Sequence, residues 1–167
     1  MRLAEIANPK ITTLYRFWER HRLADGRPMP RAALDPGDLA GLLPNLLLLQ
    51  VVDPAAGPAG LCIRLAGDAI EQRYGRSLRG LPLTRTFDLV RRDDTSQQWT
   101  AVLRDARPQY RRGPMQYPDG RRFESERLIL PLSGEVSCVE FLLAALFYLP
   151  LPPGGEVVGT EAGSLSP

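Results

Sequence analysis

The run Leu46 to Val52 constrains this chain more than any other stretch: seven residues, a single polar member in Gln50, and no alternation. A strand with one wet face alternates apolar and polar side chains, so a strand that reads this way needs both faces covered. Phe141 to Leu149 is a second such run and the longest apolar stretch. It falls far short of the roughly 20 residues of a membrane span. Both runs belong at the centre of a layered fold, and the rest of the sequence must supply the covers.

The segment before Leu46 is punctuated by proline. Asn8 can cap a helix whose first turn carries Pro9, where a missing N–H costs nothing. Ile11, Leu14, Tyr15 and Trp18 follow at helical spacing and form one stripe, with Phe17 off it. Asp25-Gly26 ends this helix, and Pro28 and Pro30 keep the next stretch extended. Asp35-Pro36 repeats the cap-then-proline start and predicts a second short helix with Leu39, Leu42 and Leu43 buried, stopped by Pro44.

Beyond the central run, Asp53-Pro54 and Gly57-Pro58-Ala59-Gly60 turn the chain into a returning strand, Leu61 to Ala66. Asp68 and Glu71 have the spacing of a capping box for a short helix through Ile70 and Tyr74 that stops at Gly75. Asp93-Asp94-Thr95 opens a longer helix with Trp99, Val102, Leu103 and Ala106 on one stripe. Two strands, Gln109 to Tyr117 and Arg122 to Leu132, then flank the hairpin signal Pro118-Asp119-Gly120. Val136 to Tyr148 supplies the last strand, and from Pro150 the composition predicts a disordered tail. Two hairpins separated by helices make an antiparallel sheet with helices on one face, an α+β arrangement with space between helices and sheet.

The 167 residues suffice for one full core, and a net charge of +2 does not suggest a general polyanion binder. The charge is uneven: ten arginines from Arg73 to Arg112 face four aspartates, whereas from Gly113 onward three arginines face seven carboxylates. A basic segment of this kind suits an acidic partner or nucleic acid, although a solvated helix face accounts for it equally and no basic-aromatic cluster accompanies it. Cys62 and Cys138 sit in separate apolar runs, as buried free thiols of a reducing cytoplasm do. Neither has a His or Cys neighbour at zinc spacing.

The strings Phe17-Trp18, Gly26-Arg27-Pro28-Met29-Pro30, Leu34-Asp35-Pro36 and Leu42-Leu43-Pro44 resemble the opening of a bacterial PAS-like family first catalogued as a domain of unknown function. Arg64-Leu65-Ala66-Gly67, Tyr74-Gly75-Arg76 with Leu78 and Gly80, and Glu126 to Leu132 match the same pattern, so the likeness spans about residues 14 to 148. It implies a PAS-like five-stranded antiparallel sheet with helices over one face and an N-terminal helix used for dimerisation. Members are commonly single domains without an attached kinase or cyclase, signalling through protein contact. The expected division is 1–33 for the helix and Pro-rich connection, 34–149 for the PAS-like domain and 150–167 for the tail.

By the same resemblance a ligand cavity lies between sheet and helices, near Ile70, Tyr74, Phe87, Trp99 and Leu103, with Arg64, Tyr110, Met115 and Arg127 on the strands. A small hydrophobic or anionic ligand suits that set. Ile11, Leu14, Phe17 and Trp18 are expected to cover the other face of the central strands, in cis or across a homodimer.

Haem and covalent flavin are disfavoured. The single His21 ends the first helix, whereas haem-binding PAS domains take a histidine from the helix beside the cavity. Cys62 lies in a strand rather than on a helix above it. No serine-hydrolase turn or complete phosphate loop is present. Glu124 and Glu126, expected to face solvent opposite Arg111 or Arg112, leave open an α+β cone-type enzyme using carboxylates. The balance of these readings is a cytoplasmic, non-enzymatic sensory domain whose partner is a second copy or a signalling protein.

Overall fold

The computed structural model describes residues 6–86, 93–116, 122–135 and 139–150. Asn8 begins the first helix, α1 (Pro9–Arg20), by accepting a 2.9 Å hydrogen bond from the Lys10 N–H, with Pro9 at the first helical position. The helix ends at His21, before Asp25-Gly26, and buries Ile11, Leu14, Phe17 and Trp18. The extended stretch after it contributes a two-residue strand, β1 (Met29–Pro30), whose residues pair in parallel with Leu132 and Ser133.

The second helix expected from Asp35-Pro36 is absent. Residues 36–45 form consecutive turns with mostly i→i+3 bonds, such as Leu39 N–H to Pro36 O and Leu42 N–H to Leu39 O. Gly37 and Gly41 weaken helix propagation over a segment too short to compensate, and Pro44 closes it. The turns still bury Leu39 and Leu42.

The sheet is built from β2 (Leu46–Val51), β3 (Leu61–Ala66), β4 (Gln109–Gln116), β5 (Arg122–Ser133) and β6 (Phe141–Pro150). Its antiparallel path runs β4-β5-β6-β2-β3, with β1 added on the β4 side of β5. Between β3 and β4 the chain crosses through α2 (Asp68–Tyr74), α3 (Leu83–Thr86) and α4 (Asp93–Asp105). α2 stops at Gly75, which takes the left-handed conformation (φ 63°) that favours glycine. The capping box does not form. Gly67 is the cap residue, and the Glu71 carboxylate instead accepts from the Ser77 hydroxyl and the Leu78 N–H, both at 2.8 Å. The Pro118-Asp119-Gly120 turn, Cys138 and the chain beyond Pro150 lie outside the described residues, though the β4–β5 register is that of a hairpin.

Two cores form on opposite faces of the sheet. The inner one joins Leu47, Leu49, Leu61, Ile63, Ile129, Leu142, Ala144 and Leu146 of the strands to Ile70, Trp99 and Val102 of α2 and α4. The outer one joins Leu128, Leu130, Leu132, Leu143, Ala145 and Phe147 to Ile11, Leu14, Phe17 and Trp18 of α1. β2 serves both, because Leu47 and Leu49 point inward while Leu46 and Leu48 point outward. That is the two-sided burial its unalternating sequence predicts.

Candidate functional site

On the inner face, Ile70 and Trp99 are completely buried, and Tyr74 and Leu103 pack against them from α2 and α4. Arg127 enters this face from β5, 5% exposed, donating to Gln98 Oε1 at 2.5 Å with its guanidinium 5.9 Å from the Trp99 ring centre. These five residues therefore converge as expected, but as parts of a continuous core. The Trp99 Nε1 proton is buried without an acceptor. Phe87 lies outside the described residues, as does the side chain of Met115 in β4.

Two further expected cavity residues are elsewhere. Tyr110 packs with the outer core, on the α1 side of the sheet. Arg64 is exposed and donates through Nε to Gln50 Oε1 at 2.6 Å. Alternation from the inward Leu61 and Ile63 already sends Arg64 away from the inner face, and a β-bulge lies at this residue. Leu48 pairs with Leu65 and Leu49 with Ile63, leaving Arg64 as the extra residue on β3. The bulge turns Leu65 to the outer face beside Leu48, where strict alternation from Leu61 and Ile63 would send it inward.

The outer face is covered in two parts. α1 lies over β5 and β6, fixed by a 2.7 Å hydrogen bond from Trp18 Nε1 to the Pro131 carbonyl. Pro131 falls between the last residue of β5 paired with β4, Ile129, and the first paired with β1, Leu132. Ile11, Leu14, Phe17 and Trp18 are between 0% and 5% exposed in the single chain. Of the two arrangements expected for these four, the single chain has the one in cis, with their apolar surface against the sheet of their own chain.

Beneath the start of α1, Glu126 is 1% exposed, so its expected solvent-facing position is also corrected. It shares a strand face with Leu128, Leu130 and Leu132, which α1 covers. Burial raises its pKa above the ordinary glutamate value, and Arg112, 3.7 Å away, opposes that shift. Glu124, further from the helix, is held below the ordinary range by its hydrogen bonds with Arg112 at 2.6 and 3.0 Å. A desolvated carboxylate near Tyr110 is what an acid-base enzyme could use. Here, however, it is buried beneath the start of α1 and lines neither the apolar groove nor the polar hollow described below.

An apolar opening is on the same face, past the reach of α1. One straight row crosses the sheet as Leu130, Leu143, Leu48 and Leu65. Leu130 is fully buried and Leu143 is 4% exposed, whereas Leu65 on the edge strand is 45% exposed. Above this end of the row lies a groove of about 300 Å³. Leu46, Leu48, Leu65 and Leu143 form its floor, and Leu34, Leu39 and Leu43 of the turn segment form its wall. Arg31, its guanidinium carbon 5.0 Å from the Phe141 ring centre, stands at the margin as the sole charged lining residue. A second, more polar hollow between α1 and the turns is lined by Thr13, Phe17, Arg20, His21, Asp38 and Leu39. The apolar groove was not legible in the sequence, because neither the bulge nor the turned course of residues 36–45 leaves a clear local signal.

Among the described residues no group of three His, Cys, Asp or Glu side chains could hold a metal ion, and no helix is long and apolar enough to cross a membrane. Cys62 is a free, half-buried thiol on β3 opposite Gln50.

A family model described as a PAS domain matches residues 6–147. Among solved structures, the PAS domain of a protein from Colwellia psychrerythraea is similar at 14% identity and a TM-score of 0.50, covering 68% of this chain and 95% of that one. A light-oxygen-voltage domain studied with a flavin analogue is similar at 15% identity and a TM-score of 0.51, covering 68% of this chain and 82% of that one. At such identities the likeness concerns the fold. A search of curated proteins returns no match.

Proposed function

This chain belongs to the PAS domain family, and from that premise we propose that it is a non-catalytic sensory module that takes a small apolar ligand on the outer face of its sheet. The observation that carries this reading is the contrast between the two faces. The inner face, where the family resemblance places a cavity, is a core in which Trp99 and Ile70 are wholly buried. The outer face leaves an apolar groove of about 300 Å³, the lower end of the range that small-molecule sites occupy. Output then runs through contact with another protein, a second copy included, since a bound ligand on this face changes the surface offered to a partner.

The test is binding of an environment-sensitive apolar dye to the full chain. Leu65 is exposed enough to be changed without disturbing the core, so Leu65→Glu is expected to abolish dye binding while circular dichroism stays the same. Unchanged dye binding in that variant contradicts the outer site. Light scattering of the full chain tests for a dimer contact.

A further inference from the structure

We infer that the ligand of the outer groove is an acyl carboxylate, its hydrocarbon chain on the leucine floor and its headgroup at Arg31. The inference rests on the outer-site reading above and adds the chemical class. Three observations on the groove lead to it. Its floor and wall are aliphatic, with Leu46, Leu143 and Leu39 each no more than 4% exposed, so a group that fills it is apolar over most of its length. The floor side chains are all leucine and offer no hydrogen bond to a ligand hydroxyl or amide.

The charge is at one end only. Arg31 lines the groove beside residues that are otherwise uncharged, and its exposed side chain carries the guanidinium carbon 5.0 Å from the Phe141 ring centre. An amphiphile with a single anionic head matches a groove with one cation, and guanidinium geometry suits a carboxylate, as it does a phosphate. A fully apolar ligand would leave Arg31 without a role, and a second copy of the chain would need an acidic side chain followed by an apolar one at this margin.

The experiment is calorimetric titration of the full chain with octanoate, decanoate and dodecanoate, each kept below its aggregation concentration, and with the alcohol of each length. Burial of one methylene corresponds to roughly a fourfold change in affinity. Each added CH₂ is therefore expected to tighten binding by about that factor until the groove is full. The carboxylate is expected to bind tighter than its alcohol, and Arg31→Gln to weaken the carboxylate about two- to fivefold, as for an exposed ion pair, while leaving the alcohol unchanged. Leu65→Glu should weaken both.

Equal binding of carboxylate and alcohol, or no response to Arg31→Gln, overturns the acyl carboxylate and leaves an apolar ligand in place. Binding of neither series overturns the acyl carboxylate together with the outer-site reading. Light scattering of the ligand-free chain is the remaining arm: a dimer that Leu65→Glu dissociates means that a second copy occupies the groove, and this also overturns the inference.

Discussion

Over the inner face, α2 and α4 are delivered by the crossover between β3 and β4 and close on the middle of the sheet, leaving Trp99 at its centre. Over the outer face the cover comes from the N-terminus instead: α1 reaches β5 and β6, and the turns of residues 36–45 reach β2. The inner closure is part of the topology that makes the sheet. The outer closure is an added segment in two pieces, and the apolar groove lies where the second piece meets the edge of the sheet. A face closed by its own topology serves stability; a face closed by an appended segment has room to respond.

The sharpest way to break this comparison is to damage each cover in turn. Trp99→Ala removes the largest wholly buried side chain and is expected to cost about 3–5 kcal/mol, read by chemical denaturation as loss of much of the stability of the whole domain. Trp18→Ala is expected to destabilise toward the lower end of that range, about 3 kcal/mol. It has a second consequence that Trp99→Ala lacks: α1 loosens, the leucine face of β5 and β6 is uncovered, and the folded protein self-associates in light scattering. Trp18→Phe keeps most of the packing and loses only the hydrogen bond to the Pro131 carbonyl, about 1 kcal/mol. If the two Trp→Ala variants behave alike, the faces are not distinct.

A finer test uses pH. Burial under α1 raises the Glu126 pKa above that of the unfolded chain, so the folded state binds the proton more tightly. Its contribution is most favourable below the ordinary glutamate value and is lost as pH rises through the raised, folded value. Glu124 has the opposite sign. Its lowered pKa makes a contribution that is present above the ordinary value and lost as pH falls through the folded one. Glu126→Gln should therefore stabilise the protein at pH 8 relative to the parent, with the gain vanishing in acid. Thermal melts across pH check it; a gain that grows in acid contradicts the burial of Glu126 under α1. The smallest expected effect belongs to the groove itself, where Leu65→Glu should change stability by no more than about 0.5 kcal/mol while removing ligand binding.

Much of the fold was legible because its signals are periodic. The α1 stripe, the two-sided β2 run and the α4 stripe of Trp99 and Val102 all appear as packed faces. Glu126 could have been placed as well, since its parity with Leu128, Leu130 and Leu132 puts it on the covered face. The site was less legible. One bulge residue at Arg64 reverses the side to which Leu65 points, and an inserted residue in a strand has no pattern of its own. Tyr110 was misassigned because Gln109 to Tyr117 carries too little alternation to fix its face. The turns of residues 36–45 kept Leu39 and Leu42 inside without a helix, because burial needs only that those side chains point inward.

The measurement that bears most directly on the outer site is photocrosslinking of the full chain with an alkyl diazirine probe, followed by mapping of the labelled residues by mass spectrometry. Label on Leu34, Leu48 and Leu65 that a non-photoreactive alkyl carboxylate displaces is the result expected of a ligand held on the outer face. Displaceable label on Ile70, Trp99 and Leu103 would contradict it and return the ligand to the space between the sheet and its helices.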